Sequence, residues 1–234
     1  MTDILISDRL EKIASLITKR ASVADIGTDH GYLPIYLVKT GKADRVIACD
    51  LRKKPLEKAV KNAEGANVSD CIDFRLSDGL EALEAGEAET LVICGMGGFA
   101  IQKILKNGLD SGRIPVGTDC VLSPHTDRES LSRFLYEKGF KIDEEILLHE
   151  KAAYYILWKC TFDGTGREGS PADHAYGALL LERKEPELKS YLLREEELLS
   201  GVLLELKDLP PDRVGKRIEE IQDRLELNRS VRWF

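Results

Sequence analysis

The sequence predicts an α/β fold: a mostly parallel sheet with one reversed strand near its edge, followed by a C-terminal α-helical hairpin of coiled-coil type. Three observations carry this reading. Short apolar runs alternate with helix-periodic segments as far as Cys160. The stretch V-A-D-I-G-T-D-H-G-Y from Val23 to Tyr32 has the composition of a buried strand, broken by Gly27 and followed by a helix with Pro34 in its first turn. Beyond Pro186, apolar residues recur at alternating four- and three-residue spacing, the pattern of packed helices.

Taken in order, Asp8 with Glu11 reads as a capping box. It opens a helix with Leu10, Ile13, Ala14 and Ile17 on one face, and with Arg9, Lys12, Lys19 and Arg20 elsewhere. Residues 23–26 form the first strand and 33–38 a helix. Residues 45–50 form the second strand, with a helix from about Pro55. Residues 72–75 are a third strand, before the turn Ser77-Asp78-Gly79. Residues 90–94, T-L-V-I-C, are a fourth, running into G-M-G-G and a helix marked by Ile101, Ile104 and Leu105. Residues 119–122 are a fifth strand, followed by Ser123-Pro124-His125. Thr126 and Glu129 form a second capping-box pattern, and Gly139 ends that helix. Residues 141–150 and 153–160 close the sheet as a tight antiparallel pair. Residues 162–171 read as a linker, dividing the chain into domains 1–162 and 163–234. The hairpin seam is Leu188, Leu192, Leu199, Val202 and Leu206, with Glu195 on it. Pro210-Pro211 breaks it, and Val214, Ile218, Ile221 and Leu225 continue on the return helix.

Composition narrows the function. The 234 residues carry a formal net charge of −7, which disfavours general nucleic-acid binding, although a local basic surface suffices for brief contact. No run is long or apolar enough to span a membrane, and no signal-peptide pattern opens the chain. Five scattered cysteines without C-x-x-C spacing read as reduced thiols of a cytoplasmic protein, with no metal site.

In a parallel sheet the ligand sits at the carboxyl ends of the strands, where the turns after Ile26, Cys49, Arg75, Cys94 and Leu122 converge. Only one glycine lies at the first turn, so the dinucleotide fingerprint is not met. Asp25 and Asp29 make that turn acidic, which suits a sulfonium or amino charge better than a pyrophosphate. Asp50 stands where a carboxylate holds ribose hydroxyls, or where a polar residue caps a strand. Asp78 with Gly79 fits an adenine amino group, or an ordinary Asp-Gly turn. His30 and His125 are placed for a site role that their chemistry does not specify. Arg213, Lys216, Arg217 and Arg224 share a helix face able to track phosphates, or are a solvated coiled-coil surface.

The motif D-I-G-T-D-H-G-Y-L-P, with R-L at Arg9, P-L-E-K-A at Pro55, R-L-S-D-G-L at Arg75 and C-G-M-G-G at Cys94, resembles the bacterial tRNA (adenine-22-N1)-methyltransferase family, TrmK. The resemblance implies a Rossmann-like class I methyltransferase, methylating N1 of adenine 22 in tRNA from S-adenosyl-L-methionine. It implies a cofactor site of Asp25, Gly27, Asp29, His30, Asp50, Leu51, Asp78, Gly79, Cys94, Gly95 and Met96. Asp29, His30 and His125 become the candidate acceptors for the adenine amino group, and Arg9 with the hairpin's basic residues the tRNA contacts. A monomer is expected. Gly31 and Cys94 replace the family's usual alanines, both conservative in size, and Ser123-Pro124-His125 stands where the family tends to show Q-P-N. Alternatives are a methyltransferase of another RNA, a protein or a small molecule, a nicotinamide oxidoreductase, and a non-catalytic RNA-binding scaffold.

Overall fold

A computed structural model describes residues 6–18, 22–207 and 209–234, without the side chains of 211 and 212. The expected basic pair Lys19 and Arg20 lies outside the described residues. Seven strands form one sheet: β1 (Val23–Ile26), β2 (Val46–Asp50), β3 (Ile72–Leu76), β4 (Thr90–Met96), β5 (Asp119–Pro124), β6 (Phe140–Glu150) and β7 (Ala153–Phe162). Their order is β3-β2-β1-β4-β5-β7-β6. The first five are mutually parallel, and β7 runs antiparallel to both β5 and β6. The reversed strand thus lies one in from the edge, the arrangement of Rossmann-like methyltransferases.

The helices of the first unit are α1 (Asp8–Leu16), α2 (Tyr32–Lys39), α3 (Lys53–Gly65), α4 (Gly98–Asp110) and α5 (Arg128–Lys138). β1 is buried at every position because the sheet is covered on both faces there. Ile13, Ala14, Leu16 and Ile17 of α1 join Leu33 and Leu37 of α2 over Val23, Val46, Val92, Val121 and Leu157 of five strands. Each such large side chain contributes about 1.5–3 kcal/mol on burial. Ile35, Ala48, Ala63 and Ile72 form a second cluster towards β3.

Both capping boxes are corrected. Ser7, not Asp8, caps α1, its hydroxyl accepting from the Leu10 N–H at 3.3 Å. Asp8 occupies the first helical turn, where its charge still favours the helix dipole. At α5 the residue before the helix is Asp127, in the left-handed region at φ 55°, and the Thr126 hydroxyl donates to the Asp127 carboxylate at 2.6 Å instead of capping. Gly139 ends α5 in the left-handed conformation as expected.

The first compact unit closes after Glu168, within the expected linker of residues 162–171. The loop beyond β7 is tied to the end of α5: Gly164 N–H donates to Gly139 O at 3.2 Å, and Arg167 N–H to Tyr136 O at 2.8 Å.

The second unit, Gly169–Phe234, contains α6 (Pro171–Tyr176), α7 (Ala178–Glu182), α8 (Pro186–Leu206) and α9 (Pro211–Ser230). α6 and α7 are too short to show periodicity, and the sequence reading missed them. α8 and α9 pack as the expected hairpin, with Leu188, Leu192, Ile221 and Leu225 buried. Val202 is 38 % exposed, so it leaves the seam. Leu203, a four-residue step from Leu199, takes its place half-buried.

Glu195 is the polar centre of this unit. It accepts from Tyr176 Oη at 2.8 Å, Asn228 Nδ2 at 2.9 Å and Arg224 Nη2 at 3.0 Å. Burial alone would push its carboxyl up, but Arg224, Asn228 and Tyr176 together hold it below the ordinary value. Arg224 also lies 4.6 Å over the Tyr176 ring. Replacing Glu195 with Ala removes the carboxylate that pairs with a half-buried guanidinium. We expect a loss of about 2 kcal/mol in the unfolding of this unit, read by urea denaturation with circular dichroism, and about half that for Glu195→Gln.

Candidate active site

Strands β2 and β3 lie to one side of β1, and β4 and β5 to the other. The strand order therefore reverses between β1 and β4, and a crevice opens at their carboxyl ends. A cavity of about 330 Å3 fills it, lined from α1 by Arg9, Leu10 and Ile13, from β1 and its turn by Asp25, Gly27, Thr28, Asp29 and His30, from α2 by Tyr32 and Leu33, and from β4 and β5 by Cys94, Gly95 and His125.

The β1 turn has an unusual backbone. Gly27, Asp29 and Gly31 have φ of 82°, 45° and 71°. It is held by Gly27 and Thr28 N–H groups donating to Cys49 O at 2.8 and 2.9 Å. Asp29 N–H donates to Asp50 Oδ2 at 3.3 Å, while Asp50 Oδ1 accepts from Arg52 N–H at 2.7 Å. Asp50 therefore shapes the turn from β2, with its carboxylate buried and two backbone donors already satisfied. A side chain at Gly27 would meet the Met96 methyl, which lies over the turn.

The cavity has two electrostatic sides. On one, burial pushes the Asp25 carboxyl up to about 6, opposed by the Thr28 hydroxyl and reinforced by the charge of Asp50. Asp29 is exposed, with His30 Nε2 3.4 Å from its carboxylate, and His30 Nδ1 is buried with no partner. On the other side Arg9 Nη1 donates to His125 Nε2 at 2.5 Å. Burial, then the charge of Arg9, lower the His125 pKa below its ordinary value. Cys94 is no nucleophile at neutral pH, since burial pushes its thiol far up.

The cavity thus gathers Asp25, Gly27, Asp29, His30, Cys94, Gly95 and His125 of the expected residues. Asp50 reaches it through the turn, and Met96 through its contact at Gly27. Leu51 is 63 % exposed beyond β2. Asp78 and Gly79 line a separate crevice of about 300 Å3 with Lys103, Ile104, Asn107 and Arg113. In G-M-G-G the glycines divide their work. Gly95, at φ 80°, faces the cavity, whereas a side chain at Gly98 would lie 2.7 Å from Asp127 O, so that glycine serves packing.

Arg9, expected on the tRNA body, is a cavity residue. Arg224, expected on the basic face of α9, is turned inward to Glu195, leaving Arg213, Lys216 and Arg217 exposed there, the last paired with Glu220 at 3.1 Å. Thr28, Tyr32 and Tyr155 were missed. Tyr155 lies under the Arg9 guanidinium at 4.6 Å, and only the strand's β-prone pattern pointed to it. Among the described residues no cluster of acidic, histidine or cysteine side chains can hold a metal, and no helix is long and apolar enough to cross a membrane.

Comparison with known proteins agrees with this geometry. A methyltransferase-domain family model matches residues 6–157. The M. capricolum TrmK structure, in complex with S-adenosyl-homocysteine, is 30 % identical with a TM-score of 0.81, covering 96 % of both chains. The chain belongs to the TrmK methyltransferase family. The Bacillus subtilis tRNA (adenine(22)-N(1))-methyltransferase is 28 % identical over 99 % of this chain and 98 % of its own. The B. subtilis TrmK structure superposes with a TM-score of 0.86 at 27 % identity, over 98 % and 99 % of the two chains.

Within the TrmK family, Gly31 is not the conservative replacement for alanine that its size suggests. It precedes α2 at φ 71°, and an added Cβ would lie 2.9 Å from that of Ala59. The α2–α3 packing of this chain is built on glycine.

Asp25 carries a testable cost. Its folded pKa lies above the ordinary aspartate value of 3.8, so the native state is penalised as pH rises from about 4 to about 6 and fully above that. Asp25→Asn is expected to stabilise the protein by about 2 kcal/mol at pH 8, with the difference vanishing below about pH 4. Thermal melts across pH read this directly.

Proposed function

We propose that this protein transfers a methyl group from S-adenosyl-L-methionine to N1 of adenine 22 in tRNA. The observation that carries the proposal is the acidic cavity at the β1/β4 switch point, in a chain that matches tRNA (adenine-22-N1)-methyltransferases from end to end. The cavity fits the cofactor on its own residues: a buried carboxylate faces it, the backbone at Gly27 and Gly95 is bare, and His30 Nδ1 lacks a partner. Bound there, the cofactor supplies an electrophilic methyl on a cationic sulfur.

Asp25 ionises near neutrality and balances the cofactor's positive charge, and Asp50 holds ribose hydroxyls with its remaining lone pairs. Gly27 and Gly95 let the backbone approach, with Met96 and Cys94 completing the floor. Asp78 and Gly79 reach the cofactor only at its far end, from their own crevice.

Adenine N1 has a free lone pair at neutral pH, so no base is needed to create the nucleophile. The enzyme must position it in line with the methyl carbon, which requires an unpaired, everted base. An acceptor for the exocyclic amino group stabilises the ring as it becomes cationic. His125 Nε2 is already engaged by Arg9, which leaves the exposed Asp29 carboxylate, beside His30, as that acceptor. Arg213, Lys216 and Arg217 face the tRNA phosphates in a cytoplasmic reaction, with the hairpin reading shape more than sequence.

Methyl transfer from labelled cofactor to unmodified tRNA, read by primer extension, tests the proposal. A new stop beside adenine 22 is expected, because an N1-methyl group blocks base pairing. Asp29→Asn should lower kcat roughly tenfold to hundredfold with the stop unmoved. Cofactor affinity should weaken as pH falls below about 6, and this dependence should disappear in Asp25→Asn, by calorimetry. Binding without transfer to tRNA would redirect the search to other substrates, and absence of cofactor binding would favour a scaffold.

A further inference from the structure

The cavity wall opposite Asp25 is a layered stack. Arg9 Nη1 donates to His125 Nε2 at 2.5 Å, and the same guanidinium lies 4.6 Å from the centroid of the Tyr155 ring. His125 meets Tyr155 edge-on at 5.9 Å. Arg9 is anchored from behind, its backbone N–H donating to Glu150 Oε1 at 3.2 Å. Arginine has only donors and keeps its proton in proteins. The imidazole nitrogen it faces must present a lone pair, so the single ring proton sits on Nδ1.

We propose that Arg9 is a positioning residue that fixes the His125 imidazole as the neutral Nδ1–H tautomer at the cavity edge, so that the ring offers the everted adenine one fixed donor and no charge. This rests on the adenine-N1 methylation assigned above. A protonated ring would place a second donor near N1, whose lone pair must attack. It would also add charge beside a base that becomes cationic on methylation. Arg9 carries its own charge over the Tyr155 face. Among the described residues, Asp25, Asp29 and His30 from the β1 end, Tyr32 from α2, Cys94 from β4, and Glu150 and Tyr155 from β6 and β7 are the other titratable groups around this cavity. The carboxylates among them favour an imidazolium, and Arg9 opposes it. Burial and Arg9 together set the direction, below the usual 6.5.

The test is NMR titration of the full-length protein with 15N-labelled histidine, with His125→Asn assigning the ring among four histidines. The wild type is expected to show Nδ1 protonated, Nε2 bare and a midpoint below 6.5. In Arg9→Met the midpoint should rise from its wild-type position, burial still holding it down in part. Methyl transfer by Arg9→Met should therefore fall more steeply from pH 8 to pH 6 than in the wild type, where Asp25 titrates equally. Arg9→Met combined with His125→Asn should lack this extra loss, and Arg9→Lys, which keeps a charged donor, should recover most of the activity at pH 6. A proton on Nε2 in the wild type overturns the proposal, and that measurement needs no Arg9 variant to fold. So does an unmoved midpoint in Arg9→Met, or equal acid loss with and without His125. If the wild type methylates no tRNA at any pH, the assigned reaction fails, while tautomer and midpoint still decide the role of Arg9.

Discussion

The buried Asp50 carboxylate, accepting the Asp29 N–H, is the interaction on which the site depends. Three residues within five adopt positive φ there, an arrangement that local preference opposes. Cys49 O and Asp50 on the neighbouring strand over-determine the turn. Because β1 and β2 are parallel and in register, those acceptors lie level with the end of β1. The sheet thus imposes the turn, and the turn delivers Asp25, Asp29 and His30 to one cavity.

The same cavity sets stability against function. An aspartate at 6 % exposure resists ionisation, and the protein retains it where a cationic ligand rewards the charge. Across from it, burial and then the Arg9 charge lower the His125 pKa below its ordinary value. The two walls differ in character, Asp25 and Asp29 on one and Arg9 with His125 on the other.

The fold was legible because its signals are local. Buried strands read as apolar runs, and Gly27, Gly95 and Gly139 mark turns that need positive φ. The strand pair 140–162 declared itself by β-propensity. Less legible was whatever depends on distant partners. Asp8 and Thr126 have the chemistry of caps, but Ser7 and the backbone at Asp127 took those positions. Arg224 sits among exposed basic residues in sequence, yet Glu195, on the other helix, draws it inward. The seam drifted at Val202 because strict heptad counting falls short of the 3.6-residue turn of an ordinary helix. The site followed the same rule: the motif turn was readable, while the meeting of Arg9 with His125 and Tyr155, distant in sequence, was not. Gly31 shows the limit of reading size alone, since its backbone conformation and the nearness of Ala59 decide what fits.

The bond from Arg9 to Glu150 spans nearly the whole first unit, and Tyr155 lies still further along. Helix α1 is therefore tied to the last strand pair of its unit. A chain emerging from the ribosome can form the β1 turn early, but the Arg9 wall of its cavity lacks Tyr155 until β7 has been released and has inserted between β5 and β6. Completion of the cavity is thereby timed to the end of the domain's synthesis, and a truncated chain that ends before β7 leaves the Arg9 wall without its support.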